Sequence, residues 1–137
     1  MNEAMQFENI KEFIKDTDTE SIEDKNFIFG YTEPKFSRYL LFEDGEEEDL
    51  KNFLVFFTTD EIILVEVTHS GDFAGNIVHI ERVDIKDFRY KNGIMTTKII
   101  FKLDNVKFEI KTPQLVLTSK WQMTNFKYLK DKNFFWK

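Results

Sequence analysis

The sequence predicts a mainly β fold: an open antiparallel barrel with a short N-terminal helix and a C-terminal helix that caps it. Within residues 53–112, runs of β-branched and aromatic residues alternate with turn dipeptides, a pattern typical of consecutive hairpins. The 137 residues are 42% hydrophobic and include 16 Phe, enough to build the core of one domain. We therefore expect a meander of about seven or eight strands.

The N-terminal segment predicts a short amphipathic helix over residues 3–15. Its apolar residues recur at helical spacing between charged ones: Phe7, Ile10, Phe13 and Ile14. Residues 16–25 are mostly acidic and hydroxyl-bearing, and their side chains compete with helix and strand for the backbone. We divide the chain into an N-terminal helix with an acidic linker, residues 1–26, and a barrel domain with the C-terminal helix, residues 27–137.

The first predicted hairpin pairs residues 27–33 with residues 36–43. Pro34 lies between the two runs, where the loss of a backbone donor does not interrupt a ladder. The acidic loop that follows, residues 43–49, holds six carboxylates. Because like charges repel, we expect this loop to be extended and solvated.

The pattern around Asp104 and Asn105 predicts both a turn and a register. A two-residue turn there pairs Leu103 with Val106, Phe101 with Phe108 and Ile99 with Ile110, so that apolar residues meet at every position. The opposite face then sets Lys102 against Lys107 and Lys98 against Lys111. A slip of one residue would expose each apolar set, so the register is strongly specified.

Two further turns are predicted from dipeptides. Asn92 and Gly93 form the strongest turn signal in the chain and place Tyr90 opposite Met95 and Phe88 opposite Thr97. Asp60 and Glu61 separate residues 53–59 from residues 62–68, although this dipeptide is a poorer hairpin former.

The C-terminal part predicts a helix over residues 119–132, after a strand that ends near Pro113. The apolar residues of this helix do not form one narrow stripe, which indicates contact with the barrel on more than one side. Three aromatic residues then follow: Phe134, Phe135 and Trp136.

Taken in order, these runs resemble a bacterial pleckstrin-homology-like domain of the kind found in small Firmicutes proteins. The resemblance covers residues 27–129 and rests on residues 53–60 leading into 62–65, on residues 80–88, and on the two hairpins that follow. It implies two nearly orthogonal antiparallel sheets that form an open barrel, with Trp121 in a C-terminal helix sealing the core. It also implies a binding or scaffolding module rather than an enzyme.

Membrane-recruiting relatives hold phosphorylated head groups with a basic loop between their first two strands. The equivalent loop here, residues 32–35, has only Lys35 and the nearby Arg38 as cations. This departure argues against phosphoinositide binding.

Charge and composition exclude several classes of function. A net charge of −6 and a pI near 5.0 argue against general affinity for nucleic acid or anionic lipid. The absence of Cys excludes disulfides and thiolate metal sites and favours a reducing compartment. We find neither a secretory signal nor an apolar run long enough to span a bilayer, and we expect a cytoplasmic protein.

Two groups of residues are candidate binding sites. The first is the lysine face formed by Lys98, Lys102, Lys107 and Lys111, which suits an anion or an acidic partner, although a solvated face that discourages aggregation is the favoured interpretation. The second is the terminal aromatic group Phe134, Phe135 and Trp136. It suits a partner or a second copy of the chain, although docking back onto the barrel is favoured.

No catalytic residue, metal site or cofactor is predicted. His79 lies near Glu81 and His69 near Asp72, but two histidines without a third ligand at recognisable spacing do not make a metal site. The acidic loop lacks the ligand spacing of an EF-hand, and no Ser has a nucleophile-elbow context.

The sequence therefore predicts a non-catalytic interaction module that binds a protein partner or itself through an exposed sheet edge or the terminal aromatic group. One alternative is a carrier of a small or lipid-like ligand in the barrel mouth. A weaker alternative is an acidic mimic of nucleic acid that inhibits a DNA-binding protein.

Overall fold

A computed structural model describes residues 6–16, 25–32, 51–68, 70–114 and 120–136. Within these residues, two helices and seven strands follow in order: α1 Phe7–Asp16, β1 Phe27–Thr32, β2 Lys51–Phe57, β3 Glu61–Val67, β4 Phe73–Glu81, β5 Ile85–Asn92, β6 Thr96–Leu103, β7 Val106–Pro113 and α2 Trp121–Asp131. Short 3-10 turns occupy Arg82–Asp84 and Asn133–Phe135. The predicted strand at residues 36–43, the acidic loop and His69 lie outside the described residues.

The seven strands form a single antiparallel sheet with the order β4-β3-β2-β1-β7-β6-β5. The first strand is central: it pairs with β2 along its whole length and with β7 at Tyr31 and Lys111. Because β1 pairs with both β2 and β7, the described strands form one sheet where the resemblance implied two. The mainly β prediction with a helix at each end is confirmed at this level.

The inner face of the sheet encloses the main core. Buried residues from all seven strands gather in one cluster with Phe126, Leu129 and Phe134. Strands at opposite ends of the sheet order, represented by Ile80 of β4 and Ile85 of β5, both belong to it. A sheet whose two ends reach the same cluster must curve around it.

A second core lies on the outer face of β1, β2 and β3, beneath α1. Ile10 is fully buried there with Phe27, Leu54 and Phe56, and the Phe13 ring stacks on Phe73 at 5.2 Å. Strands β2 and β3 are thus buried on both faces, which explains their continuous apolar runs. The N-terminal helix packs on the sheet of its own chain.

Side-chain amides fix α2 against β1. Gln122 accepts a hydrogen bond from the Phe29 backbone N–H (2.8 Å) and donates to the Phe29 carbonyl (3.1 Å), while Asn125 donates to the Phe27 carbonyl (3.0 Å). These amides occupy backbone groups of β1 that have no strand partner on the β7 side, because β7 pairs with β1 only at Tyr31. The helix therefore takes the place of strand pairing at this opening.

The same helix contacts both cores, as its dispersed apolar residues predict. Trp121 packs on Phe27 in the outer core with ring centroids 4.9 Å apart, whereas Phe126 and Leu129 belong to the inner core. The expectation of contact on more than one side is confirmed.

One predicted register is confirmed and two turns need correction. Asp104 and Asn105 form the β6–β7 turn with φ of 52° and 67°, and every predicted pair across it is present. The β2–β3 turn is Thr59–Asp60 rather than Asp60–Glu61, because the Thr58 backbone N–H donates to the Glu61 carbonyl (2.9 Å) and the Thr58 hydroxyl accepts from the Glu61 N–H (2.8 Å).

The β5–β6 turn also lies further along the chain than predicted. Asn92 pairs with Thr97 and Tyr90 with Ile99, which leaves Ile94 and Met95 exposed at the tip. The turn therefore lies at residues 94–95, two residues after the predicted position at 92–93. A shift of this kind keeps every side chain on its own face, so the apolar pattern cannot detect it.

Candidate functional site

The outer side of strands β5, β6 and β7 carries a concentration of positive charge, which we call the basic face. Its alternating residues point away from the inner core, and seven of them are cationic: Lys86, Arg89, Lys91, Lys98, Lys102, Lys107 and Lys111. A chain with a net charge of −6 therefore has one sheet surface of the opposite sign.

Strand pairing arranges six of these cations in two rows of three lysines. One row is Lys91, Lys98 and Lys111, and the other is Lys86, Lys102 and Lys107. Neighbours within a row lie directly opposite each other on adjacent strands, where Cβ atoms are about 4.5–5.5 Å apart. Between the two rows lie Arg89, Ile100 and Glu109.

Few carboxylates balance this charge. Asp87 approaches Lys102 at 3.5 Å and Glu109 approaches Lys107 at 3.6 Å, and both lysines are about half exposed. No other cation of the basic face forms an ion pair with any residue in the described part of the chain. Exposed pairs of this kind contribute about 0–1 kcal/mol each, so they offset only part of the repulsion.

The opposed lysines carry a cost in stability. Four pairs of lysines face each other directly across strands. Because like charges directly opposite are destabilising by roughly 0.2–1 kcal/mol per pair, the arrangement costs about 1–4 kcal/mol in total. In the centre, Ile100 is only 4% exposed, which fits apolar lysine stems covering it while their ammonium groups reach solvent.

The sequence predicted the four lysines of β6 and β7 on one face, and the structure brings them together there. It did not predict the contribution of β5: Lys86, Arg89 and Lys91. The register across the β5–β6 turn decides which lysines of β5 stand opposite Lys98 and Lys102. That register was predicted wrongly, so the two rows were not recognised.

Both edges of the sheet are irregular, which bears on the predicted strand addition. The β4 edge has a register shift against Val65 and Val67 and contains Gly75 with φ of 95°. The β5 edge has a shift between Lys86 and Arg89, with Asp87 at φ of 54°. Such bulges interrupt the row of main-chain groups that an added strand would need.

The terminal aromatic group lies against the domain. Phe134 is fully buried in the inner core, with ring centroids 5.1 Å from Phe57 and 5.0 Å from Tyr90. Phe135 and Trp136 are partly buried against the same core. Phe134 therefore presents no surface to a partner in this conformation, which agrees with the docked alternative.

A buried arginine that the sequence did not single out holds this terminus in place. The Arg82 Nε donates to the Thr58 carbonyl (2.6 Å) and its Nη2 donates to the Phe134 carbonyl. Its guanidinium lies 5.8 Å from the Phe88 ring centroid and 5.5 Å from that of Trp136. Burial lowers the pKa of Arg82 to about 10, so the group is still charged at neutral pH.

Of the two histidines weighed as metal ligands, the structure describes only His79. His79 Nδ1 lies 3.0 Å from Glu61 Oε2 at the exposed β3–β4 surface. Among the residues that the structure describes, no three His, Asp or Glu side chains are grouped closely enough to hold a metal ion.

Comparison with known proteins does not identify the chain. No protein-family model, curated protein or solved structure gave a significant match. In the described parts of the chain, neither helix has the length and apolar character needed to cross a bilayer.

Proposed function

We propose that the protein is a non-catalytic interaction module whose basic face binds an acidic surface on a protein partner. The observation that carries this proposal is the pairing of lysine against lysine in two rows. An arrangement that costs stability is expected where it serves binding, and a solvated face that discourages aggregation is the alternative that the experiment below must exclude. An acidic partner would remove the repulsion as it binds.

The overall charge favours a protein partner over an anionic membrane or a nucleic acid. At a net charge of −6, the chain as a whole is repelled by a membrane or a nucleic acid, whose fields act over about 8–10 Å at physiological salt. A folded protein with a local acidic patch engages the basic face alone. Complementary charge of this kind raises association rates and selects partners more than it raises affinity.

The face is a better candidate than the two surfaces first considered. Bulges interrupt both sheet edges, and Phe134 is occupied in the core. A carrier that binds a ligand in the barrel mouth is also less favoured, because the Phe134 ring packs in the inner core. The acidic-mimic alternative depends on residues 43–49, outside the described part of the chain.

We also propose that the chain is a pleckstrin-homology-like domain. One curved antiparallel sheet with a C-terminal helix over its core supports this identity at the level of architecture. An experimental structure compared with known barrels of that class would test it.

The test of the interaction proposal uses charge reversal in two variants that have the same net charge as each other. Variant one carries Lys98→Glu with Lys102→Glu on the basic face; the matched control carries Lys120→Glu with Lys127→Glu on exposed positions at α2. The probe is immobilised polyglutamate at physiological salt, where charges more than about 8 Å away are largely screened. We expect the wild type and the control to bind, and the basic-face variant to bind at least tenfold more weakly.

Three further measurements separate the alternatives. Equal loss of binding in both variants would assign the effect to net charge and contradict the proposal. Tighter binding to phosphatidylserine vesicles or to duplex DNA than to polyglutamate would replace the protein partner with one of those surfaces. Light scattering of the free protein tests self-association, and a dimer that only the basic-face variant disrupts would make the partner a second copy of the chain.

A further inference from the structure

A second candidate site lies at the β4–β5 corner, around Arg82 and away from the basic face. Arg82 is only 8% exposed and belongs to the short 3-10 turn between the two strands. Carbonyl groups from distant parts of the chain, Thr58 and Phe134, hold its Nε and Nη2. The guanidinium is therefore fixed in position and orientation.

The third nitrogen of this guanidinium has no partner. Arg82 Nη1 is buried and makes no hydrogen bond within the described part of the chain. An unsatisfied buried donor costs about 1–3 kcal/mol, and more when the group is charged. Buried polar groups are nearly always satisfied, so a free donor on a fixed cation indicates a ligand that supplies the acceptor.

Arg82 also lines a pocket that suits a particular kind of ligand. It has a volume of about 230 Å³ and is lined by Thr59, Arg82, Val83, Phe135 and Trp136. The lining offers two aromatic rings, one aliphatic side chain, one hydroxyl group and one cation. It contains no carboxylate.

The acidic residues near Arg82 line a neighbouring pocket, which shares Thr59, Arg82 and Val83 with this one. They are Asp60, Glu61 and Glu81. Their proximity opposes a doubly charged phosphate, whereas one cation with one free nitrogen matches a single negative charge.

We propose that this pocket binds a carboxylate borne on a small apolar or aromatic molecule. Arg82 Nη1 donates to the carboxylate, the Thr59 hydroxyl donates a second hydrogen bond, and Val83, Phe135 and Trp136 pack against the apolar part. Nη1 has less than 1 Å² of exposed surface, so the carboxylate reaches it only when a covering side chain moves. A volume below the usual 300–1,000 Å³ of drug-sized sites limits the ligand to a small acid.

The test uses benzoate as the probe and the full chain as the protein. Titration calorimetry should give a Kd on the order of 1 mM, as expected for a ligand of few atoms. Benzamide has the same shape without the charge and should bind at least tenfold more weakly. Because Trp136 forms one wall of the pocket, benzoate should also shift its indole N–H resonance.

Variants locate the binding. Val83 is 85% exposed, so Val83→Glu leaves the core untouched, places a negative charge at the rim and should weaken benzoate binding at least tenfold. Ile94→Glu makes the same change at the distant hairpin tip, where Ile94 is 97% exposed, and should bind like the wild type. Arg82→Gln should abolish benzoate binding. If that variant does not fold, the results with Val83→Glu and with benzamide show whether benzoate binds in this pocket and through its charge.

Several results would overturn the proposal. One is that no benzoate binds at a concentration 20 times the expected Kd. Another is that benzamide binds as tightly as benzoate. The third is that Val83→Glu leaves benzoate binding unchanged. Tighter binding of inorganic phosphate than of benzoate would reject the carboxylate assignment. None of these results bears on the basic face, which the polyglutamate experiment tests by itself.

Discussion

Replacing Phe134 with alanine tests whether this residue stabilises the core or forms an interface with a partner. In the structure its ring is fully buried and contacts four other rings, those of Phe57, Phe88, Tyr90 and Phe126. The substitution removes the ring but keeps the backbone carbonyl that accepts a hydrogen bond from Arg82. The residue has φ of 52°, a conformation that is unfavourable for alanine as well, so the change in stability reports mainly the lost ring.

The expected loss is large for a domain of this size. Phe→Ala in a well-packed core costs about 3–5 kcal/mol, and the aromatic contacts place this site towards the upper end of that range. Domains are stable by about 5–15 kcal/mol in total. With a urea dependence of about 2 kcal/mol per M, the unfolding midpoint should fall by roughly 1.5–2.5 M.

Urea unfolding followed by circular dichroism measures this effect, with Ile94→Ala as the control. Ile94 is almost fully exposed at the β5–β6 tip and should change stability by less than about 0.5 kcal/mol. A Phe134→Ala protein as stable as the wild type, with a lower oligomeric state by light scattering, would refute the core assignment and restore the terminal aromatic group as an interface.

Two other substitutions test how β1 is held. Gly30→Ala places a Cβ 2.9 Å from a methyl carbon of Ile110, where β1 meets β7. Calorimetric unfolding should therefore show a loss of stability of about 1–3 kcal/mol from overpacking. An unchanged melting temperature would mean that the two strands are not in contact there. Gln122→Ala removes the hydrogen-bond partner of the Phe29 backbone groups and the Pro113 carbonyl, and each group that stays buried and unpaired costs roughly 1–3 kcal/mol of stability. The control Met123→Ala, at an exposed neighbouring position, should have little effect. Equal losses of stability in the two variants would contradict the role of Gln122 in fixing α2.

Local turn chemistry decided how much of the sheet could be predicted. At Asp104–Asn105, both residues tolerate positive φ and apolar residues meet at every pair, so the turn and the β6–β7 register were predicted correctly. At Asn92–Gly93, the dipeptide signal was strong but the chain turns two residues later. Since the shift keeps each side chain on its face, nothing in the alternation could correct it.

The remaining features depend on contacts between distant parts of the sequence. The role of Arg82 depends on Thr58, 24 residues earlier, and on Phe134, 52 residues later. A single arginine in a charged stretch gives no local sign of burial. The amphipathic pattern predicted α1, but only the tertiary structure shows that its stripe covers β2 and β3, which are apolar on both faces.

The most direct test of the central claim is to measure stability and binding together in Lys98→Glu. Lys98 stands opposite both Lys91 and Lys111, so the change converts two repulsive pairs into attractive ones. Urea unfolding should show a gain of about 0.5–2 kcal/mol, while affinity for polyglutamate falls. Lys120→Glu, with the same change in net charge, should alter neither property appreciably. A Lys98→Glu protein that is no more stable than the wild type and still binds polyglutamate would contradict the proposal that the lysine rows are maintained for binding.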